Sequence, residues 1–223
     1  MGDQSTVVAV IGGTGALGLG IARRLALAGY PVVIGSRDAA RAVAAAAEMN
    51  AALGGSAIVG ATNSEAAARA EVVFLAVPFA SHAAILDEIG PVVSGKIVVD
   101  TTVPLQPPKV STVHLPPEGS VAVATQNRLG SDVRVVSALH NVAAHRLQKD
   151  EAVDCDVLVC GNDKDARAIV VTLVDAMGLR GLEAGPLANS VVAEALTSVL
   201  IGINRRYKID GAGIRITGTA KPS

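Results

Sequence analysis

From residue 7 to about residue 100, short runs of β-branched and other apolar residues alternate with Ala-rich segments whose apolar positions recur every three to four residues. The first kind of run predicts strands at 7–12, 32–36, 57–61, 72–77 and 96–101. The second predicts helices at 16–28, 38–53, 63–69 and 80–89. Strands that are apolar at every position need cover on both faces, so the repeat predicts an α/β fold with a mostly parallel sheet and helices on either side. Prolines crowd the stretch from 104 to 117, which excludes a regular helix or a central strand and predicts a long loop. Beyond it, 133–139 and 155–160 continue the sheet. A helix over 163–177 ends at Gly178, and a second helix spans 187–207 with Asn189 or Ser190 as N-cap. A short terminal strand is expected at 212–217. The expected division is a larger N-terminal domain at 1–150 and a smaller lobe at 151–223 that completes the sheet.

Composition narrows the chemistry. Among 223 residues, 19 are basic and 20 acidic, so no excess of positive charge is available for a nucleic acid backbone. Two Phe, two Tyr and no Trp leave little for stacking, so a flat ring must lie on aliphatic or backbone surface. Strongly apolar stretches run to about a dozen residues, interrupted by groups such as Glu194, against the ~20 needed to span a bilayer. The start carries an acidic Asp3 and no basic leader. A cytoplasmic protein without membrane or nucleic acid partners is expected. Cys155 and Cys160 fall on opposite faces of a strand and suit neither a mutual disulfide nor a metal site.

Gly13, Gly15 and Gly18 form a G-x-G-x-x-G pattern between the first strand and the first helix. One glycine makes a tight turn, one admits a pyrophosphate to the backbone, and one lets helix and strand pack closely, while the helix N-terminus supplies free N–H groups. This context predicts a Rossmann-type dinucleotide site. An NAD enzyme places a carboxylate near the end of the second strand to hold the ribose hydroxyls. Here Ser36 and Arg37 stand there, with Arg41 one helical turn on, a set suited to a 2'-phosphate. NADP is therefore expected. Asp38 is read as the N-cap of the second helix, with a displaced ribose ligand as the alternative.

Ligands of open parallel sheets lie beyond the carboxyl ends of the strands. That edge gathers Val77-Pro78-Phe79, Thr101 to Pro104, His140 to Ala143, and Ala184 to Leu187. His140 is read as the one ionisable side chain there that could relay a proton or hold a carbonyl; the alternative is a strand-end residue bonded to nearby backbone. No metal-ligand spacing, nucleophile elbow or paired carboxylates emerge. A hydride transfer between two cofactors needs little beyond alignment of two carbons, and the lack of acid-base groups fits that chemistry. Arg205, Arg206, Lys208, Arg215 and Lys221 against Asp210 give about +4 over the last ~20 residues, which either meets an anionic tail or complements the last helix.

Ile-Gly-Gly-Thr-Gly at 11–15, Gly-Ser-Arg at 35–37, Val-Val-Ser-Ala-Leu-His at 135–140, Val-Cys-Gly at 159–161 and Ala-Gly-Pro-Leu-Ala-Asn at 184–189, in this order and spacing, resemble the NADPH-dependent coenzyme F420 reductases. The resemblance runs over nearly the whole chain. It implies reversible hydride transfer between C4 of the nicotinamide and C5 of a 5-deazaflavin. By motif it implies that Thr14, Gly15, Ala16 and Leu17 hold the pyrophosphate and that Ser36, Arg37 and Arg41 hold the 2'-phosphate. Val77, Val103 and Ala143 would line the nicotinamide pocket, with Pro78 beside them. Asn141, Gly185, Pro186, Leu187 and Arg206 are the candidates for the acceptor side, and His140 an orienting group. The phosphate and glutamate tail of coenzyme F420 suits the positive C-terminal segment. The Pro-rich stretch has no close match in the family and is expected to border the second ligand. An NADPH-dependent reductase of a flavin, ferric chelate or small imine is the alternative enzyme, and a non-enzymatic NADP sensor the third reading. A hydroxy acid dehydrogenase is disfavoured because the 187–204 segment has no lysine. The apolar Val191 to Ile203 segment points to a homodimer.

Overall fold

The computed structural model describes residues 5–55 and 57–218. Strands β1 (Val8–Ile11), β2 (Val32–Ser36), β3 (Ile58–Thr62), β4 (Val72–Leu75), β5 (Ile97–Asp100), β6 (Arg134–Ser137), β7 (Asp156–Gly161) and β8 (Arg180–Glu183) form one sheet in the order β3-β2-β1-β4-β5-β6-β7-β8. The first six strands are parallel. β7 runs antiparallel to β6, meeting it only through Val136 with Gly161 and Ser137 with Cys160, and β8 is parallel to β7. The helices are α1 (Ala16–Leu27), α2 (Ala39–Leu53), α3 (Asn63–Arg69), α4 (Phe79–Ile89), α5 (Val121–Leu129), α6 (Ala144–Leu147), α7 (Lys164–Ala176) and α8 (Ser190–Tyr207).

The period of two along the strands divides the core. Val8 and Val10 of β1 point into one apolar cluster with Ile21 and Leu25 of α1 and Val170 and Leu173 of α7. Ala9 and Ile11 point into the other, with Ile85, Leu86 and Ile89 of α4. Both faces are covered, as continuous apolar strands require. β1 lies between β2 and β4, so strand order reverses there and leaves a crevice beyond the carboxyl ends of β1 and β4.

The short α6 is held against α1 by close approach and by charge. A Cβ on Gly20 would stand 2.6 Å from Cβ of Leu147. Arg24 donates to the carbonyls of Arg146, Leu147, Lys149, Glu151 and Met177, which ties down the loop after α6. Ala143 is the N-cap of α6, so the clamp on this helix also holds one of the predicted site segments.

Four sequence expectations need correction. The segment after the Pro-rich loop holds a helix, α5, which the alternation of Val and Ala disguised. Ser120 caps it by accepting from the Val123 amide at 3.1 Å. β8 was also unforeseen, because its residues are half exposed and show no alternation. Residues 212–217 are not a strand: the Asp156 amide donates to the Ile214 carbonyl at 2.8 Å. The Ile216 amide then donates to the Asp156 carboxylate at 2.6 Å, so a side chain takes the place of a ladder partner. Asn189 is the N-cap of α8, but the expected side-chain bond to a helix amide is made by neither Asn189 nor Ser190. A 3-10 turn, Leu187–Asn189, leads into the helix; Asn189 donates to the Ala184 carbonyl at 2.8 Å, and Ser190 bonds Ser137 at 2.6 Å. Asp38 does cap α2, accepting from the Arg41 amide at 3.2 Å, and Gly178 follows α7 at φ +79°. Asp3 and Lys221 lie outside the described residues.

Leu187–Tyr207 is long and apolar enough to cross a membrane by length and composition alone, with a mean hydropathy of 1.4. It exceeds the dozen-residue stretches expected from sequence. It nevertheless buries Glu194, Ser190 and Ser198 toward the protein, while Val192 and Val199 face outward at 59% and 46% exposure.

Candidate functional site

The turn after β1 is shaped by one glycine more than the motif named. Gly12 adopts φ +75°, and a Cβ there would stand 2.5 Å from the Ala76 carbonyl oxygen, so Gly12 is the residue that makes the turn. The amides of Gly12 and Gly13 both donate to the Gly35 carbonyl, at 3.1 and 3.2 Å, which binds the turn to the end of β2. A Cβ on Gly18 would stand 2.6 Å from the Gly12 oxygen and the Gly13 Cα, so Gly18 sets how closely α1 packs. Gly15 is the N-cap of α1 without a side-chain bond, and Ala16 and Leu17 open the helix. The first amides of α1 therefore point into the crevice without a capping side chain.

Gly12, Thr14, Gly15, Ser36, Arg37, Arg41, Asn63, Ala76, Val77, Pro78, Ser81 and Ile85 enclose a cleft of about 190 Å³. Seven residues predicted for NADP are thus brought together, and Gly13 and Gly18 lie just behind them. Ser36 accepts from the Asp38 amide at 3.2 Å, leaving its hydroxyl hydrogen free for the cleft. Arg37 and Arg41 are exposed and form no ion pair among the described residues. Asp38 caps the helix through Oδ1, and the end of β2 presents the cationic donors of Arg37 and Arg41 to the cleft.

Asn63 was not foreseen. It is buried at the start of α3, its amide donates to Glu88 at 3.1 Å, and its carbonyl oxygen has no partner while lining the cleft. The only hint in the sequence was a polar residue directly after an apolar strand. The fit to a dinucleotide rests on this orphaned acceptor, on glycines whose side chains would fill the cradle, and on the unpaired guanidinium groups.

The remaining predicted residues lie outside the lining of this cleft. Val103 follows β5, half-buried, and Ala143 is the N-cap of α6. Asn141 is buried and donates to Cys155 Sγ at 3.1 Å and to the Asp156 carbonyl at 2.7 Å. Gly185 sits at φ +91°, Pro186 precedes the 3-10 turn, and Leu187 is packed in the core. Arg206 is exposed in the last turn of α8, as is Arg205. Arg215 pairs with Asp154. Both cysteines are free and buried, and burial raises their pKa values.

His140 is buried, and neither ring nitrogen has a hydrogen-bond partner. Burial lowers its pKa to about 4, against the pull of Asp100 and of the Thr102 backbone, so it is neutral at pH 7. It is not the only ionisable group at this edge, which corrects the sequence expectation. Asp100, the last residue of β5, is fully buried and accepts from Thr125 Oγ1 at 2.5 Å, His82 Nε2 at 2.8 Å and the Thr102 amide at 2.9 Å. Burial opposes its ionisation; His82, Thr125 and the Thr102 amide outweigh that and hold the carboxyl below its usual range. At the head of α5, the buried Glu194 accepts from the amides of Val121 and Ala122 at 2.7 and 3.1 Å. Burial raises its pKa to about 7 although those amides favour the carboxylate. A carboxylate closing an otherwise continuous apolar strand, Ile-Val-Val-Asp at 97–100, was the signal that could have found this cluster.

Strand order, turn and unpaired basic fork define a dinucleotide-binding protein of the Rossmann type. Residues 7–104 match the family model described as NADP oxidoreductase, coenzyme F420-dependent. F420-dependent NADP reductase from Methanocaldococcus jannaschii is 40% identical over 94% of this chain and 97% of its own length. The corresponding protein of Methanothermobacter thermautotrophicus is 40% identical over 94% of both. The crystal structure of a candidate F420-dependent NADP reductase from Arthrobacter superposes with a TM-score of 0.80 at 28% identity, covering 96% of this chain and 99% of that one. The chain belongs to the F420-dependent NADP reductase family. A pyrroline carboxylate reductase and an imine reductase share the fold at 14% and 18% identity, with a TM-score of 0.61 each.

Proposed function

We propose that this chain transfers a hydride reversibly between NADP(H) and the 5-deazaflavin coenzyme F420. The observation that carries the NADP half is the end of β2, where Arg37 and Arg41 stand unpaired beside Ser36 and the nearest carboxylate, Asp38, is spent on the α2 cap. The F420 half follows from family membership. When bound, the two coenzymes supply the hydride donor and acceptor, and one proton is taken up for each F420 reduced.

The work left to the chain is to hold and to align. The amides of Thr14, Gly15, Ala16 and Leu17 would bind the pyrophosphate at the start of α1, and Ser36, Arg37 and Arg41 the 2'-phosphate. Val77, Pro78, Val103 and Ala143 would wall the nicotinamide and exclude water from it. Being neutral and buried, His140 would orient a ligand and would not deliver a proton at pH 7. Asn141 would support that segment through its bonds to Cys155 and Asp156, and Gly185, Pro186 and Leu187 would shape the floor beneath the acceptor. Arg205, Arg206 and Lys208 would meet the anionic tail of F420.

The outward face of α8, with Val192 and Val199 exposed, supports a homodimer. A cytoplasmic location, without membrane or nucleic acid partners, and a division at about residue 150 complete the reading. The test is to mix the protein with NADPH and oxidised F420, then with NADPH and FMN, and follow loss of the oxidised chromophore. Bleaching of F420 alone is expected. Turnover of FMN alone would move the assignment to a flavin reductase, and no turnover with either acceptor to a sensor.

A further inference from the structure

We infer that Asn63 is a specificity-determining residue of the cleft, its side-chain oxygen accepting a hydrogen bond from the adenosine half of the dinucleotide. The inference rests on the reading of the cleft as an NADP site and adds to it a residue outside the glycine turn and the basic set.

Placement is the first support. Asn63 lines the same cleft as Ser36 and Arg37, on the side that Ser81 and Ile85 of α4 complete. It directly follows Thr62, which pairs with Ser36 in the sheet. A Cβ on Gly35 would stand 3.2 Å from the Asn63 Cα, so the bare backbone at 35 lets α3 begin hard against the end of β2. Asn63 is thereby set beside the residues assigned to the 2'-phosphate.

The start of α3 leaves this side chain without a capping duty. Thr62 is the N-cap: its hydroxyl accepts from the Glu65 amide at 3.3 Å, and the Glu65 carboxylate accepts from the Thr62 amide at 3.1 Å. Asn63 is 1% exposed, in a helix whose other buried residues are Ala66 and Ala67. Burying an amide in such company costs free energy unless both of its ends are used.

Hydrogen-bond accounting identifies the open end. Asn63 Nδ2 donates to Glu88 Oε2 of α4 at 3.1 Å. A carboxylate only accepts, so the NH2 group must face Glu88 and the oxygen must face away from it. That oxygen, Oδ1, has no partner within the chain. Glu88, itself exposed, is thus the positioning residue that fixes the orientation of the amide.

The chemistry of the open end selects its ligand group. An amide oxygen takes a hydrogen and repels a phosphate oxygen, which is itself an acceptor, so the phosphates fall to the glycine turn and the arginines. With its 2'- and 5'-oxygens esterified, the adenosine half offers two neutral donors, the ribose 3'-hydroxyl and the 6-amino group of adenine. The place of Asn63 beside Ser36 favours the 3'-hydroxyl, which neighbours the 2'-phosphate. A ligand without the donor would leave Oδ1 covered and unpaired, the situation in which a site discriminates most sharply.

Dissociation constants for adenosine 2',5'-bisphosphate, its 3'-deoxy analogue and its hypoxanthine analogue test this in wild type, Asn63→Ala and Glu88→Gln. One analogue is expected to bind wild type about ten-fold or more weakly than the parent, the deoxy one if the hydroxyl is the partner and the hypoxanthine one if the amine is. In Asn63→Ala that penalty should fall to within about two-fold, through weaker binding of the parent, while the penalised analogue keeps its wild-type constant and so reports an intact cleft. Glu88→Gln offers Asn63 both a donor and an acceptor, no longer holds the amide one way, and should lower the penalty about two- to five-fold. Equal binding of all three ligands by wild type, or a penalty that persists at full size in Asn63→Ala, would overturn the inference and leave Asn63 as a tie between α3 and α4. Should Asn63→Ala fail to fold, Glu88→Gln decides: a fall in the penalty supports the inference, and a full-size penalty overturns it. Failure of the wild type to bind the parent bisphosphate would instead overturn the reading of the cleft itself.

Discussion

Glu194→Gln should give this protein a pH dependence of stability that the wild type conceals. In the native state the Glu194 carboxyl titrates near 7 against an ordinary 4.5, because burial penalises the carboxylate. An acid whose folded pKa is raised contributes its full stability below the unfolded pKa and loses it as pH rises to the folded one. At ~1.4 kcal/mol per pH unit, the loss between pH 4.5 and 7 comes to about 3 kcal/mol. His140 works in the opposite sense. Its folded pKa, about 4 against an ordinary 6.5, means that stability falls by a similar amount, about 3 kcal/mol, as pH drops from 6.5 to 4. The two slopes nearly cancel between pH 4.5 and 6.5 in the wild type.

Gln is isosteric, accepts one of the two α5 amides and cannot ionise. The lost second acceptor adds a constant offset at all pH values. The difference in unfolding free energy between Glu194→Gln and wild type should therefore climb by about 3 kcal/mol from pH 4.5 to 7. Urea unfolding at half-unit pH intervals measures it. The companion His140→Asn should gain relative to wild type as pH falls through the same window. A Glu194→Gln difference that stays level between pH 4.5 and 7 would refute the reasoning, since it would mean that the buried carboxyl titrates at its ordinary value.

Three further outcomes follow from the geometry. Arg37→Ala should weaken NADPH binding by ~1.5 to 3 kcal/mol, the scale of hydrogen bonds to a charged group, with little effect on NADH; calorimetry with both would expose an equal loss, which removes the 2'-phosphate assignment. Gly18→Ala places a Cβ 2.6 Å from backbone atoms of the phosphate turn, so α1 must move off β1; a loss of ~2 kcal/mol or more in thermal stability, together with weaker NADPH binding, is expected, and wild-type values for both would contradict the packing argument. Arg24→Lys keeps the charge but offers three donors where five carbonyls are now served, and should cost ~1 to 3 kcal/mol and speed proteolytic cutting within residues 143–151; unchanged cutting would show that the clamp does not hold that loop.

What could be read from the chain alone was what local rules determine. Apolar runs of β-branched residues placed seven of the eight strands, since a strand buried in the sheet leaves that trace whatever surrounds it. The glycine turn and the Ser36, Arg37 and Arg41 set were legible because strand, turn and helix are contiguous in sequence. Asp38 was legible as a cap because the acceptor and its amide lie three residues apart. The rest depends on contacts far apart in sequence. Asp100, His82 and Thr125 converge from three elements, and only the carboxylate ending an apolar strand hints at it in the separate segments. The head of α5 is closed partly by Glu194 from more than seventy residues away, so no local capping pattern could reveal that part. Gly12 was passed over because the motif counts its glycines from Gly13, whereas the backbone turns one residue earlier.

The central claim is that two redox coenzymes meet along one edge of the sheet and exchange a hydride directly. NADPH carrying deuterium at the transferred C4 position, incubated with the protein and oxidised F420 in ordinary water, tests this most directly. Mass spectrometry of the product should find one deuterium retained at C5 of the reduced deazaflavin. Loss of that label to water would mean that the hydrogen does not pass from carbon to carbon, and would contradict the account.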